Sequence, residues 1–80
     1  MELRHLRYFV AVADELNFRR AAEKLNVTRP ALSKQIKDLE EETGLHLLER
    51  DTVRVSLTDA GSVFLAEARG ILHDVELAVE

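Results

Sequence analysis

The stretch from Asn17 to Leu39, NFRRAAEKLNVTRPALSKQIKDL, constrains this chain more than any other, because two helix starts and one helix stop fall inside it. Asn17 suits an N-cap, since its side-chain oxygen can accept from a backbone N–H left free in the first turn. Phe18, Ala21, Ala22 and Leu25 then recur at three- and four-residue spacing and share one face of a helix of about two turns. Asn26 tolerates a left-handed backbone, so the helix is predicted to stop there. Thr28 caps a second helix, Pro30 falls in its first turn where a missing N–H costs little, and Val27 can staple onto Leu32. This second helix, predicted from Thr28 to about Thr43, buries Leu32, Ile36 and Leu39 and turns Arg29, Ser33 and Lys37 outwards, with Lys34 beside them. Two short helices joined by so tight a turn make a helix-turn-helix.

Charge separates sharply along the chain. Between Asn17 and Lys37 stand Arg19, Arg20, Lys24, Arg29, Lys34 and Lys37 against Glu23 alone, a local +5 in a chain of net charge −4. A helix about 10 Å wide whose first turns carry polar and cationic side chains fits a DNA major groove, where Arg, Ser and Lys donate to base edges and phosphates. The second helix is therefore read as a recognition helix. A charged face can also merely solvate a surface helix; the spacing and the segregation of positive charge together favour DNA. The acidic total argues mildly the other way. Distribution counts for more than the sum, because attraction to phosphate decays over a Debye length of about 8–10 Å. Asp38, Glu40, Glu41 and Glu42 cluster at the far end of that helix, and Asp59, Glu67, Asp74, Glu76 and Glu80 lie in the C-terminal segment, where they can face away from DNA. Weak non-specific binding and a reliance on paired domains follow.

On the N-terminal side, Leu6, Phe9, Val10, Ala13 and Leu16 keep helical spacing, with Leu3 one turn earlier, so a supporting helix is predicted from Glu2 to about Leu16. Arg4 and Arg7 near its start are candidates for phosphate contact, and Tyr8 reads as packing or an exposed ring. Beyond the recognition helix, Gly44 suits a C-terminal cap. A hairpin is predicted next, with strands Leu48-Glu49-Arg50 and Val53-Arg54-Val55-Ser56-Leu57 and Asp51-Thr52 at its tip; this is a wing that can reach a minor groove. Thr58 caps the last helix and Asp59 suits its dipole. Along that helix Gly61, Leu65, Ala68, Leu72, Val75 and Val79 alternate spacings of four and three, widened by Phe64, Ile71 and Ala78. Running to Glu80 it would be about 33 Å long, more than so small a domain can cover, so Leu65, Ala68, Leu72, Val75 and Val79 are predicted to form a homodimer seam. The alternative is that Phe64 and Leu65 pack on the chain's own core and the remainder frays.

Eighty residues allow one small domain with a core worth only a few kcal/mol net, which dimerisation would supplement. No cysteine is present, so disulfides and thiolate metal sites are excluded. No apolar run is long enough to cross a bilayer, the first residues do not read as a signal peptide, and a cytoplasmic location is expected. His5, His46 and His73 lie far apart without metal-ligand spacing, and Gly44, Gly61 and Gly70 are isolated rather than gathered in a phosphate loop. The cluster Glu40-Glu41-Glu42 reads as the solvated end of a helix rather than an acid/base pair. No enzyme, metal or cofactor is expected. The alternative to a DNA reader is an acidic interaction module that pairs through the C-terminal seam, and the ladder Arg29, Ser33, Lys37 disfavours it.

The run AAEKLNVTRPALSKQIKDLEEETGLHLLER followed by VRVSLTDAG resembles the winged helix-turn-helix of the LysR-type transcriptional regulators, and the likeness covers nearly the whole chain from Leu3 onward. The resemblance implies a mainly α fold: a three-helix core with a short two-stranded wing over residues 1–58, then a long linker and dimerisation helix over 59–80. It implies a sequence-specific domain that binds an interrupted inverted repeat in double-stranded promoter DNA as a dimer, within a tetramer in a full-length regulator. It places Thr28, Arg29, Pro30, Ser33, Lys34 and Lys37 in the groove, with Pro30 and Ala31 against thymine methyls, and Arg50 and Arg54 on the wing. Family members continue into a larger effector-binding domain, so the chain is expected to be part of a longer regulator. Two departures stand out. Near the wing tip the family often carries glycine and consecutive arginines, whereas this chain has Thr52, Val53 and then Arg54, with Ser56 where a basic residue is frequent. Arg29 stands where the family usually has glutamine, so the base read there differs, or Arg29 holds a phosphate instead.

Overall fold

The computed structural model describes residues 1–51 and 54–79. Thr52 and Val53 of the predicted hairpin, and Glu80 at the predicted end of the last helix, lie outside the described residues. In chain order the elements are α1 (Leu3–Glu15), α2 (Phe18–Leu25), α3 (Arg29–Thr43), β1 (Leu48–Arg50), β2 (Val55–Leu57) and α4 (Asp59–Val79).

Local chemistry sets the boundaries. The Asn17 side chain accepts from Arg20 N at 2.9 Å, and Thr28 Oγ1 accepts from Ala31 N at 3.2 Å. Asn26 ends α2 in the left-handed region at φ 58°, and Gly44 ends α3 there at φ 71°. One stop differs from expectation. α1 ends at Glu15 because Leu16 itself turns left-handed (φ 49°), its N–H donating to Val12 O at 2.7 Å. That turn swings Leu16 out of the apolar face, and it is exposed rather than packed.

Phe9, Val12, Ala21, Leu32, Ile36, Leu39 and Leu47 are wholly buried, joining the three N-terminal helices into one core, and each large apolar side chain there contributes about 1.5–3 kcal/mol. The first half of α4 completes that core. Phe64 meets Phe9 edge-on, with ring centres 5.4 Å apart and planes at 78°, and Gly61 and Ala68 are buried. Arg69 pairs with Asp14 across the same junction.

The wing is a two-stranded antiparallel ribbon with Leu48 opposite Leu57, Glu49 opposite Ser56 and Arg50 opposite Val55. Within it Val55 and Leu57 are half-buried and Ser56 exposed, as the alternation predicts. Its root is tied twice. Glu40, predicted as part of a solvated helix end, is instead mostly covered, and its Oε2 accepts from Leu47 N at 2.8 Å and Leu48 N at 3.3 Å. On the other side Thr58 N donates to Leu47 O (3.1 Å), Thr58 Oγ1 donates to His46 O (2.6 Å), and the same Oγ1 caps α4 by accepting from Gly61 N at 2.9 Å. A Cβ at Gly61 would lie 2.0 Å from Leu47 O, so only glycine lets α4 approach the wing root this closely.

Candidate nucleic-acid interface

The α2–α3 turn places the start of α3 at the surface. Val27 N donates to Ala22 O at 3.0 Å, closing the turn, while Val27 packs on the core that holds Leu32. Thr28, Arg29, Pro30, Ala31, Lys34 and Lys37 are exposed, and Ser33 is half-buried. The face predicted to read DNA is therefore open along the first turns of α3.

The wing returns to this face. A cleft of about 550 Å³ opens between the α2 start, the α3 start and the ribbon, and Arg19, Arg29, Arg50 and Arg54 line it together with Pro30 and Ser33. Arg54 is exposed and bonds twice to Asp51: Arg54 N donates to Asp51 Oδ1 at 2.6 Å and Asp51 N donates to Arg54 O at 3.0 Å. Arg50 behaves otherwise. Its guanidinium lies 4.4 Å from the centre of the Phe18 ring and donates to Ser33 Oγ at 2.9 Å.

Arg20, Arg29, Lys37 and Arg54 have no ion pair among the described residues. Lys34 pairs with Asp38 at 3.0 Å and Arg19 with Glu23 at 3.1 Å, both as exposed neighbours one helical turn apart. Such surface pairs are worth about 0–1 kcal/mol, so either cation can be redirected to a phosphate at small cost. The carboxylates at the other end of α3 are partly engaged elsewhere, Glu42 with the N-terminal amine and Glu40 with the wing root.

Two features escaped the sequence reading. Arg19 was counted in the charge balance but not as part of the site; its place in the cleft depends on the wing folding back. The Arg50–Ser33 bond joins residues 17 positions apart, and no local pattern announces it. Arg4, a candidate phosphate contact, reaches Gln35 of α3 instead, with Nε 3.4 Å from Oε1.

The predicted dimer seam is distributed differently from expectation. Ala68 is 1% exposed, and Leu65, Leu72 and Val75 are half-buried, Leu65 in the core and the other two in a groove shared with α1. Of the five, Val79 alone is largely open, at 81% exposed. Of the predicted seam, Leu65 and Ala68 serve the chain's own packing, while Leu72, Val75 and Val79 keep exposed surface.

Among the described residues no helix is long and apolar enough to cross a membrane, and no group of three or more His, Asp or Glu is disposed to hold a metal ion.

Residues 3–62 match the family described as bacterial regulatory helix-turn-helix protein, lysR family. The Hca operon transcriptional activator HcaR of Escherichia coli (strain K12) is 60% identical over 78 residues, which are 98% of this chain and 26% of that protein. The chain thus spans about a quarter of the length of this curated relative. The crystal structure of a BenM_DBD/benA site 1 DNA complex superposes with a TM-score of 0.94 at 51% identity, covering 99% of this chain and 89% of that one. That of a CbnR_DBD–DNA complex superposes with a TM-score of 0.95 at 42% identity, covering 98% and 90%. With its sequence, its winged helix-turn-helix and its long final helix all in register with these proteins, the chain belongs to the LysR family of bacterial regulatory helix-turn-helix proteins.

Proposed function

We propose that this chain is the sequence-specific DNA-binding domain of a LysR-type transcriptional regulator, with no catalytic role. It binds an interrupted inverted repeat as a homodimer, with α3 in the major groove and the wing beside the minor groove. The observation that carries the reading is the exposed array Thr28, Arg29, Pro30, Ala31, Lys34 and Lys37 on the first turns of α3, of which Arg29 and Pro30 line one cleft with Arg54. Thr28, Arg29, Ser33 and Lys34 take base edges and phosphates, Pro30 and Ala31 meet thymine methyls, and Lys37 takes phosphate. Residues 1–58 form the reading head and residues 59–80 the pairing helix of a cytoplasmic protein.

Pairing rests on the side of α4 that the chain leaves open. Val63 and Leu77 are 69% and 55% exposed, and Ala66 and Gly70 fall between them at spacings of three, four and seven, which aligns all four on one strip. Nothing lies within 4 Å of a Cβ built at Gly70, so a second backbone can come close there.

The test is a fluorescence-anisotropy titration against two labelled duplexes, one carrying an inverted repeat with T and A at its ends and one with the same bases scrambled, each at two salt concentrations. Tighter binding to the repeat, weakening steeply with salt, is expected. Lys34→Glu should abolish binding and leave self-association intact. Absence of binding even at low salt would sink the DNA reading and favour an interaction module.

A further inference from the structure

Arg50 belongs to the wing strand β1, yet its guanidinium is turned back onto the reading pair, over the Phe18 ring and against Ser33 Oγ. Phe18 is buried at the start of α2, so the ring is a fixed platform, and a cation over an aromatic face is held there by the ring's quadrupole. A guanidinium so placed is engaged by the reading pair, although the residue itself stays exposed. Ser33 receives this bond on its oxygen. Its own proton meets no acceptor among the described residues, and the back-bond to the carbonyl one turn earlier that helical serines often make is not formed.

A hydroxyl has one proton and two lone pairs. With a cation bonded to one lone pair, the oxygen becomes a poorer acceptor and the O–H a stronger donor, because linked hydrogen bonds polarise one another. We propose that Arg50 is a positioning residue that sets Ser33 as a hydrogen-bond donor on the reading face, so that Ser33 selects a major-groove acceptor, a purine N7, guanine O6 or thymine O4, against an exocyclic amine. This rests on the DNA reading above. A staple that only fixed the angle of the wing would weaken binding alike at every base, whereas this device acts at the base pair that Ser33 faces.

The test is enrichment of sites from a randomised duplex library by the wild type, Ser33→Ala, Arg50→Gln and the double variant, each first shown by circular dichroism to be helical and to melt cooperatively. Ser33→Ala is expected to lose discrimination about fivefold or more at one base pair of each half-site. Arg50→Gln relaxes that same pair and spares the others, and the double variant is no worse there than either single variant. In the wild type, base analogues that remove the acceptor at that pair (a 7-deazapurine, 2-aminopurine for guanine, or a pyrimidinone lacking O4) reproduce the loss, and Ser33→Ala is insensitive to them. Should Arg50→Gln fail to fold, Phe18→Leu, which removes the ring face while keeping apolar volume, carries the same expectations. A loss for Arg50→Gln at a different base pair, or one additive with Ser33→Ala, would put the guanidinium on DNA and overturn the proposal while leaving the DNA reading standing. Failure of the wild type to enrich any sequence would remove both.

Discussion

In the proposed DNA complex, position 29 sets which base the start of α3 meets. Arg29 is exposed on the first turn, lines the cleft and has no ion pair among the described residues, so its planar fork is open to a bidentate partner. Arginine matches guanine O6/N7 and glutamine matches adenine N6/N7. Arg29→Gln is therefore expected to move the enriched base at the facing pair from guanine towards adenine, with a discrimination of roughly 1–3 kcal/mol, read by comparing sites selected by the two proteins. An unchanged base profile with uniformly weaker binding would assign Arg29 to phosphate. The exposure of this residue was legible in the sequence, because Thr28 and Pro30 locate the helix start and the buried positions Leu32, Ile36 and Leu39 then follow by periodicity. The setting of Arg50 was not legible. Its partners Phe18 and Ser33 are brought to it by the return of the wing, and the same charge at the same sequence position reads equally well as a groove contact. Leu16 was misread for a related reason: hydrophobic spacing placed it on a helix face that a left-handed turn had already ended.

Among the elements, the wing is the one held least by its own strands. Each strand has three residues, and a ribbon so short is marginal without outside support. Glu40 supplies part of that support by accepting two amide N–H groups at the root. Glu40→Ala would leave those donors unmet, at a cost of about 1–3 kcal/mol. The expected signature is an acceleration of hydrogen exchange at the Leu47 and Leu48 amides by about tenfold or more, with α2 amides little changed. Equal exchange in both proteins would show that the carboxylate contributes nothing to the wing. Gly61 bounds the other side of the root. Alanine normally improves a helix interior by about 1 kcal/mol over glycine, but here its methyl would meet the Leu47 carbonyl. Gly61→Ala is expected to destabilise by roughly 1–3 kcal/mol net and to lower Tm by at least about 5 °C in thermal melts. An unchanged or raised Tm would contradict the packing described. Every helix was legible because caps and periods are local; Glu40 reaches across the loop after α3 and Gly61 meets Leu47 across the whole wing, and residue type alone did not reveal either contact.

At the scale of the whole molecule, the sequence allows two readings of the last helix, a homodimer seam or Phe64 and Leu65 packed on the chain's own core with the remainder frayed. The apolar period visible there meets the core at Leu65 and Ala68 and α1 at Leu72 and Val75, and Val63, Ala66, Gly70 and Leu77 stand exposed as a second strip. A mutation on each side separates the two roles. Leu77→Glu is expected to raise the dimer dissociation constant by about tenfold or more in sedimentation velocity while Tm of the monomer changes little, since an exposed side chain contributes little to the fold. Loss of monomer stability instead would place Leu77 in the chain's own packing.

The glycine contact at the wing root also gives the molecule a mechanical character. α4, with its 21 residues, is about 31 Å long and is fixed at two places, at Gly61 and Thr58 to the residues that begin the wing and at Phe64, Ala68 and Arg69 to the core and α1. Because Thr58 and Gly61 both meet the His46–Leu47 backbone, the start of α4 and the wing root form one joint, so the packing that seats α4 on α1 also seats the wing that carries Arg54.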